Sequence, residues 1–204
     1  MNNILIDDKA IYPSKVVCIG RNYVDHIKEL NNETPDNMVF FNKPNSSISQ
    51  ELRFPKGFSS CHYEAEISFL IEENSISAVG FGLDLTLREV QSKLKQKGLP
   101  WERAKAFDGS AVFSHFVPLN KVIEDLQVEL YINGELKQKG GVDLMINKPA
   151  DIIKEIRTFM SFEDGDILMT GTPRGVGEFK QGDIFLGKIL QKNEVLVETR
   201  FQVI

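Results

Sequence analysis

The sequence predicts a strand-rich α+β protein, built on a mainly antiparallel sheet or barrel with a few short helices. Short apolar runs rich in β-branched and aromatic residues recur along the chain, as is typical of strands. An Asn133-Gly134 pair separates two of these runs and supplies the two positive-φ residues that a tight hairpin turn needs. Helical spacing of apolar residues is confined to three short segments. We therefore expect strands to dominate the fold.

The composition excludes several classes of protein. The 204 residues are 42% hydrophobic and 26% charged, without repeats or flexible linkers, so we expect residues 1–204 to form a single globular domain. The net charge of −5 and the lack of a basic run argue against nucleic acid as a partner. No window has the roughly 20 apolar residues that span a bilayer, so no membrane association is expected.

The two cysteines indicate the compartment. Cys18 and Cys61 lack the spacing of a paired motif, which is typical of a reducing environment. The start of the chain also lacks a positively charged region followed by an apolar stretch, the pattern of an export signal. These observations predict a cytoplasmic protein.

The first quarter of the chain is predicted to contain two strands around one helix. Residues 15–19 form a short apolar, β-rich run that ends at Gly20. Residues 23–30 have apolar residues at helical spacing, and residues 38–41 return to a strand pattern.

Residues 62–71 show the alternation of a strand with two different faces. Its apolar, core-facing residues are Tyr63, Ala65, Ile67, Phe69 and Ile71, whereas the other face carries His62, Glu64, Glu66 and Ser68. Two glutamates therefore share the face that is not expected to contact the core.

A strand at residues 79–83 is expected to lead into a helix over residues 87–97. Thr86 and Glu89 have the spacing of a capping box, in which the threonine side chain accepts from a free backbone N–H. Gly98 and Pro100 are expected to end this helix.

The second half is predicted to be mostly β. Residues 128–132 and 135–138 flank the Asn-Gly turn as a hairpin, and further strands are expected at residues 167–170, 184–186 and 195–203. One helix is expected over residues 150–160, with an apolar side formed by Ile152, Ile153, Ile156 and Phe159.

Glu64, Glu66 and Asp84 are the strongest candidate site. The two glutamates stand two residues apart on one strand, and Asp84 ends the next apolar run. Neighbouring carboxylates repel unless they are protonated or share a cation, and three converging oxygens suit Mg²⁺, Mn²⁺ or Ca²⁺. The simpler alternative is a polar strand face exposed to solvent. The spacing by itself does not decide between these two interpretations.

Three further features have a catalytic and a structural interpretation. His26 and Glu29 share a face of the first helix, where the carboxylate can orient the histidine as a general base or the two can form an exposed polar pair. Lys105 stands between two alanines, either as a charge-stabilising group or as an ordinary surface lysine. The glycine-rich loop at residues 171–177 matches neither phosphate-binding fingerprint, and it can direct N–H groups at a carboxylate or form a plain turn.

Several ordered blocks of residues together carry a family resemblance. They are Gly20-Arg-Asn-Tyr23 with Asp25-His26 and Glu29, Phe41-Asn-Lys-Pro44, His62-Tyr-Glu-Ala-Glu66, Leu83-Asp-Leu-Thr86 with Arg88 and Val90-Gln91, Gly98-Leu-Pro-Trp101, Ala104-Lys-Ala-Phe107, and Gly165-Asp-Ile-Leu-Met-Thr-Gly-Thr-Pro173. In these blocks the sequence resembles the fumarylacetoacetate hydrolase family over nearly its whole length. It is most similar to the short branch of acylpyruvate hydrolases and oxaloacetate decarboxylases.

The resemblance implies a fold, a cofactor and a role for each candidate residue. It implies a mixed β-roll or barrel-like catalytic domain over residues 1–204 and a homodimer. It implies that Glu64, Glu66 and Asp84 hold Mg²⁺ or Mn²⁺, with Ca²⁺ as a structural substitute. His26 and Glu29 would form the proton-transferring dyad, and Lys105 would stabilise negative charge. The residues implied to contact the substrate's carboxylate and oxo oxygens are Arg21, Gln91 and Thr172. The short segment at residues 31–35 predicts a lid that is shorter than in some relatives or differently hinged.

The leading functional hypothesis is a metal-dependent hydrolase that cleaves the C3–C4 bond of acylpyruvate-type 2,4-dioxo acids through an enolate, with possible decarboxylation of oxaloacetate. One alternative is a 2-oxo acid keto–enol tautomerase or a 2-hydroxyhepta-2,4-diene-1,7-dioate isomerase, which would use the same dyad to move protons. A non-catalytic metabolite-binding protein is the alternative from another class. The substrate in each case is a small 2-oxo or 2,4-dioxo acid.

Overall fold

The structure of the protein, a computed structural model, describes residues 1–30, 33, 35–119 and 122–204. Most of the segment expected to form a short lid, residues 31, 32 and 34, lies outside the described residues. The α-helices are α1 (Val24–Glu29), α2 (Arg88–Gln96), α3 (Glu102–Lys105) and α4 (Pro149–Ile156), and single 3-10 turns lie at Asn45–Ser47, Ile123–Asp125 and Val142–Leu144. The strands are β1 (Ile4–Ile6), β2 (Lys9–Ile11), β3 (Lys15–Gly20), β4 (Val39–Pro44), β5 (Ile48–Ser49), β6 (His62–Tyr63), β7 (Ala65–Glu72), β8 (Ser75–Asp84), β9 (Ala111–Phe113), β10 (Val117–Pro118), β11 (Leu126–Ile132), β12 (Glu135–Gly141), β13 (Ile167–Met169), β14 (Gly177–Glu178), β15 (Ile184–Gln191) and β16 (Glu194–Gln202).

The largest sheet is mixed, in the order β4-β3-β13-β7-β8-β9-β5, with β10 paired to β8. The β3–β13 and β5–β9 pairs are parallel, and the other pairs are antiparallel. Both faces of the sheet are covered, because one apolar cluster contains Val17 and Ile67 and a second contains Val16 and Leu70. A strand buried on both faces needs no polar alternation, which explains the continuous apolar run in β3.

A four-stranded antiparallel sheet, β12-β11-β15-β16, packs on the mixed sheet. Leu130 and Ile189 of this sheet share the larger apolar cluster with Phe81 of β8. The hairpin between β11 and β12 turns at Asn133 and Gly134, which both have positive φ angles. This strand-rich architecture confirms the predicted fold class.

Three local expectations are wrong. Thr86 does not cap α2, because its buried hydroxyl donates to the Asp84 carbonyl and accepts from the Lys105 ammonium instead. Phe159 does not join the apolar side of α4, since that helix ends at Ile156 and leaves Phe159 58% exposed. The polar face of the strand at residues 62–71 is buried, because the second apolar cluster and the site residues cover it.

Within the described residues, none of the helices has the length and apolar character needed to cross a membrane.

Candidate functional site

The three candidate carboxylates come together because β7 and β8 pair in a fixed antiparallel register. Ala65 pairs with Leu83, and the backbone N–H of Asp84 donates to the carbonyl of Glu64 at 2.9 Å. Asp84 therefore lies opposite Glu64, and Glu66 lies two residues along on the same face. One oxygen from each of the three side chains lies within 4.8 Å of the others, and all three residues are buried.

Two of these carboxylates are paired with cationic side chains. The Lys105 ammonium lies 2.8 Å from Glu64 Oε2 and 2.7 Å from Asp84 Oδ2, and it also donates to Thr86 Oγ1. Arg88, the first residue of α2, forms an ion pair with the other oxygen of Glu64. Since Lys105 is only 3% exposed, it is not an ordinary surface lysine.

Lys43 is a third cation in contact with the carboxylates, fully buried, and the sequence analysis assigned it no role. Its ammonium lies 2.8 Å from Asp84 Oδ1 and donates to the carbonyl and hydroxyl oxygens of Ser110, each at 3.1 Å. It also donates to the carbonyl of Lys105. Lys43 lies on the edge strand β4, whereas Ser110 precedes β9 near the opposite edge. The mixed sheet must therefore curl around the site.

The charges around the site shift the pKa values of Glu64 and Glu66 in opposite directions. Burial acts most strongly on the pKa of Glu64 and would raise it, but Lys105 and Arg88 hold that pKa well below its usual range. Burial, followed by the charges of Asp84 and Glu64, raises the pKa of Glu66 well above its usual range. Burial opposes the charge of Lys105, but Asp84 and Glu64 outweigh it and raise the pKa of this lysine. Glu66 is therefore the carboxylate whose charge is least compensated.

The donor set fits a hard divalent cation. Among the described residues, Glu66 has no cationic side chain in contact, and its hydrogen bond comes from the Gly171 backbone N–H at 2.7 Å. Three buried carboxylates in mutual proximity are ligands that Mg²⁺ and Mn²⁺ prefer. The buried acidic cluster can thus hold a metal ion, and the alternative of a solvated strand face is wrong.

The glycine-rich loop that follows β13 directs two N–H groups at carboxylates of the site. Gly171 donates to Glu66, and Gly175 donates to Glu29 Oε1 at 2.9 Å. Gly171 has a φ of +89°, and an added Cβ would lie 2.9 Å from the Cβ of Asn22. Only glycine adopts this conformation without strain at so close an approach. Of the two interpretations of this loop, carboxylate binding is the one that the geometry supports.

His26 and Glu29 form the predicted pair on α1. His26 Nδ1 lies 3.2 Å from Glu29 Oε2, and the histidine side chain is 9% exposed. His26 lines the same narrow cavity as the three carboxylates. The pair is therefore not simply an exposed polar contact, and α1 covers the site.

The three predicted substrate contacts also line this cavity. Gln91 is buried and accepts from Arg88 at 2.8 Å. Thr172 is buried, with its hydroxyl donating to the Ala65 carbonyl and accepting from Gln138, each at 2.8 Å. Arg21 has a φ of +57° and donates to the Glu33 carbonyl at 3.4 Å. Eight of the nine predicted site residues line the cavity. The ninth, Glu29, contacts the cavity-lining His26.

Lys43, Arg88, Lys95 and Trp101 are the site residues to which the sequence analysis gave no role. Helical spacing could have identified two of them, because Arg88 and Lys95 lie on the same face of α2 as the predicted site residue Gln91. Lys43 belongs to one of the blocks that carry the family resemblance, but no local pattern indicates its contacts, because these depend on the curl of the sheet.

A model of the family described as fumarylacetoacetate (FAA) hydrolase C-terminal matches residues 15–199. The chain belongs to the fumarylacetoacetate hydrolase family.

Two relatives in this family have names that describe a reaction of oxaloacetate. Oxaloacetate tautomerase YcgM of Escherichia coli (strain K12) is 42% identical over 190 residues, which cover 84% of this chain and 87% of the relative. A mitochondrial oxaloacetate decarboxylase of Dictyostelium discoideum is 36% identical over 187 residues, with 83% of this chain and 86% of the relative covered.

A solved structure shares the fold over the whole chain. Fumarylpyruvate hydrolase from Pseudomonas aeruginosa, in complex with Mn²⁺ and pyruvate, has a TM-score of 0.89 and 28% identity, covering 100% of this chain and 95% of that one. The relatives of this chain are therefore enzymes of small oxo acids, and this structural neighbour binds Mn²⁺.

Proposed function

We propose that the protein is a divalent-metal-dependent enzyme that interconverts the keto and enol forms of a small 2-oxo acid of the oxaloacetate type. The observation that carries this proposal is the meeting of a buried carboxylate cluster with the His26–Glu29 pair at one cavity. The name of the 42% identical relative supports tautomerisation, which the sequence analysis held as an alternative to carbon–carbon cleavage.

Glu64, Glu66 and Asp84 would hold Mg²⁺ or Mn²⁺, and Ca²⁺ would serve as a structural substitute. When bound, the ion would act as a Lewis acid on the 2-oxo oxygen and stabilise the negative charge that develops there. Lys105, in contact with two of the three ligands, would add positive charge beside that oxygen. Arg21, Gln91 and Thr172 would position the substrate's carboxylate and oxo oxygens.

His26 would move the proton. Its Nδ1–H donates to Glu29, which leaves the Nε2 lone pair as the base. In one direction Nε2 takes a proton from C3 of the keto acid, and in the other it returns a proton to that carbon. The Gly175 N–H that donates to Glu29 holds the carboxylate against the histidine ring. Glu29 therefore acts as the group that orients the base.

The direct test follows the ultraviolet absorbance of enol-oxaloacetate after mixing with protein and Mg²⁺ or Mn²⁺. We expect His26→Ala to lower the catalysed rate about 10²- to 10⁴-fold, which is the usual contribution of a positioned general base. Mn²⁺ affinity, measured by calorimetry, should stay unchanged. Lys28→Ala alters an exposed residue on the same helix and should keep the full rate. A His26→Ala variant with the wild-type rate would remove this residue from the mechanism.

Carbon–carbon cleavage is the second candidate, supported by the likeness to fumarylpyruvate hydrolase. An acylpyruvate hydrolase would release pyruvate from a 2,4-dioxo acid, as His26 and Glu29 activate water for attack at C4. A decarboxylase would release CO₂ from oxaloacetate. Coupled pyruvate and CO₂ assays on the same samples distinguish both from tautomerisation. Metal and oxalate binding without any turnover would instead indicate a metabolite-binding protein.

The proposal includes a homodimer in the cytoplasm, with residues 1–204 as the catalytic domain. The free, buried thiols of Cys18 and Cys61 support a reducing compartment. Sedimentation of the purified protein measures its mass and thereby tests the dimer.

A further inference from the structure

Helix α2 presents a row of polar side chains to the cavity. Arg88, Gln91 and Lys95 follow each other at intervals of three and four residues, so they share one face of the helix, and all three line the cavity. Lys95 stands one turn, roughly 6 Å, beyond Gln91 along the helix axis. The row therefore leads away from the carboxylate cluster, where Arg88 contacts Glu64.

Lys95 differs from two other cations that line the cavity. Arg88 and Lys105 are neutralised by Glu64 and Asp84. Across the described part of the chain, Lys95 has no carboxylate within ion-pairing distance. Its ammonium instead lies 4.9 Å from the centre of the Trp101 ring, an attractive cation–π contact that holds the side chain without neutralising it.

The surroundings of Lys95 are unfavourable for a positive charge. Burial, followed by the charges of Arg21, Arg88 and Lys105, lowers the pKa of Lys95 to about 8. A cationic side chain that lies in a cleft without an anionic partner, despite burial and repulsion from other cations, is characteristic of a group that binds an anionic ligand. An anion placed beside it would relieve the repulsion among the four cations.

We propose that Lys95 binds the second carboxylate of a dicarboxylic 2-oxo acid and thereby selects such acids over their monocarboxylic counterparts. This inference rests on the proposed function, since it assumes that the 2-oxo acid end of the ligand lies at the carboxylate cluster. One helical turn separates Gln91 from Lys95, so their side chains can contact different ends of one small ligand in the cavity that both residues line. Trp101 positions the ammonium for this contact.

The test compares two unreactive 2-hydroxy acids that differ only in the second carboxylate. Malate carries it and lactate does not, whereas both offer the same carboxylate and hydroxyl to a metal. Each is titrated by calorimetry into Mn²⁺-saturated wild-type protein and into the Lys95→Gln, Lys95→Arg and Lys97→Gln variants. Lys97 follows α2 as its exposed C-terminal cap and provides the matched control.

We expect wild-type protein to bind malate more tightly than lactate. Lys95→Gln should weaken malate binding about tenfold to a hundredfold, the value of one charge-assisted contact, and leave lactate binding unchanged. Lys95→Arg should keep most of the preference for malate, and Lys97→Gln should keep all of it. Equal weakening of both acids in Lys95→Gln would show a merely structural lysine and overturn the inference, as would an unchanged malate affinity.

Failure of the inference and failure of the proposed function give different results. Wild-type protein that tautomerises oxaloacetate but shows no Lys95-dependent preference for malate overturns only the inference. Wild-type protein that prefers malate through Lys95 but leaves enol-oxaloacetate unchanged supports the inference and overturns the proposed tautomerase.

Discussion

At the scale of single residues, the carboxylates of the cluster differ in how their charge is balanced. Glu64 has Lys105 and Arg88 as partners, and Asp84 has Lys105 and Lys43. Glu66 relies on the Gly171 N–H within the described part of the chain, and its pKa is raised by burial and by its two acidic neighbours. Of the three carboxylates, Glu66 is therefore the one whose negative charge a bound cation would stabilise most.

Glu66→Gln should lose Mn²⁺ affinity by at least about 100-fold in calorimetry, since removal of a ligand exceeds the 10- to 100-fold effect of an outer partner. The free energy of unfolding without metal should not fall, because the amide oxygen still accepts from Gly171 and a repelled charge is gone. Glu72→Gln, at the exposed end of the same strand, should bind Mn²⁺ as wild type does. Wild-type Mn²⁺ affinity in Glu66→Gln would contradict the metal assignment.

At the scale of elements, Asp166 joins the start of β3 to the start of β13. Its Oδ1 accepts from the Ser14 hydroxyl at 2.7 Å and from the backbone N–H groups of Ser14 and Lys15, while Oδ2 accepts from the Glu163 N–H and the Lys15 ammonium. The parallel β3–β13 pair carries both Arg21 and Gly171 at its carboxyl end. This carboxylate therefore stabilises the frame on which the site is built.

Asp166→Asn should lower the free energy of unfolding by about 2–4 kcal/mol at neutral pH, because an amide NH₂ would face two donors. Burial would raise the pKa of Asp166, but Lys15, the Glu163 N–H and Ser14 lower it. Its stabilisation is therefore present above the unfolded pKa near 3.9 and is lost as the pH falls through the lower folded value. The stability difference between wild type and variant should begin to shrink below about pH 4 in denaturant titrations and should disappear only below the folded pKa of Asp166.

Glu163→Gln alters only an exposed side chain nearby and is the control for Asp166→Asn. It should keep the wild-type stability at every pH. A stability difference between wild type and Asp166→Asn that persists unchanged in acid would contradict the role given to the ionised carboxylate.

At the scale of the whole molecule, the site draws on residues from Arg21 to Thr172. If residues 1–204 form one domain, heating should unfold them in a single calorimetric transition. Mn²⁺ at about 100 times its dissociation constant should then stabilise the protein by about 2.7 kcal/mol and raise the temperature of that transition. Glu66→Gln should show no such rise. Two transitions, of which Mn²⁺ moves only one, would contradict a single domain.

Local patterns in the sequence determined the fold class, the Asn133-Gly134 hairpin, the strand that carries Glu64 and Glu66, and the pairing of His26 with Glu29. These features depend on residues a few positions apart, where strand alternation, turn geometry and helical spacing apply directly. Predictions from local patterns were wrong where a residue distant in sequence made a competing contact. Thr86 was expected to cap α2, but Lys105 takes its hydroxyl.

Only the tertiary structure decided that the polar strand face is buried and which charges meet there. Lys43, Lys105 and Gly171 are far apart in sequence, and the curl of the mixed sheet brings them to the same three carboxylates. Whether Glu66 and Lys95 have an oppositely charged partner depends on such distant residues. Because burial and long-range pairing determine these charge environments, the spacing of residues along the chain does not predict them.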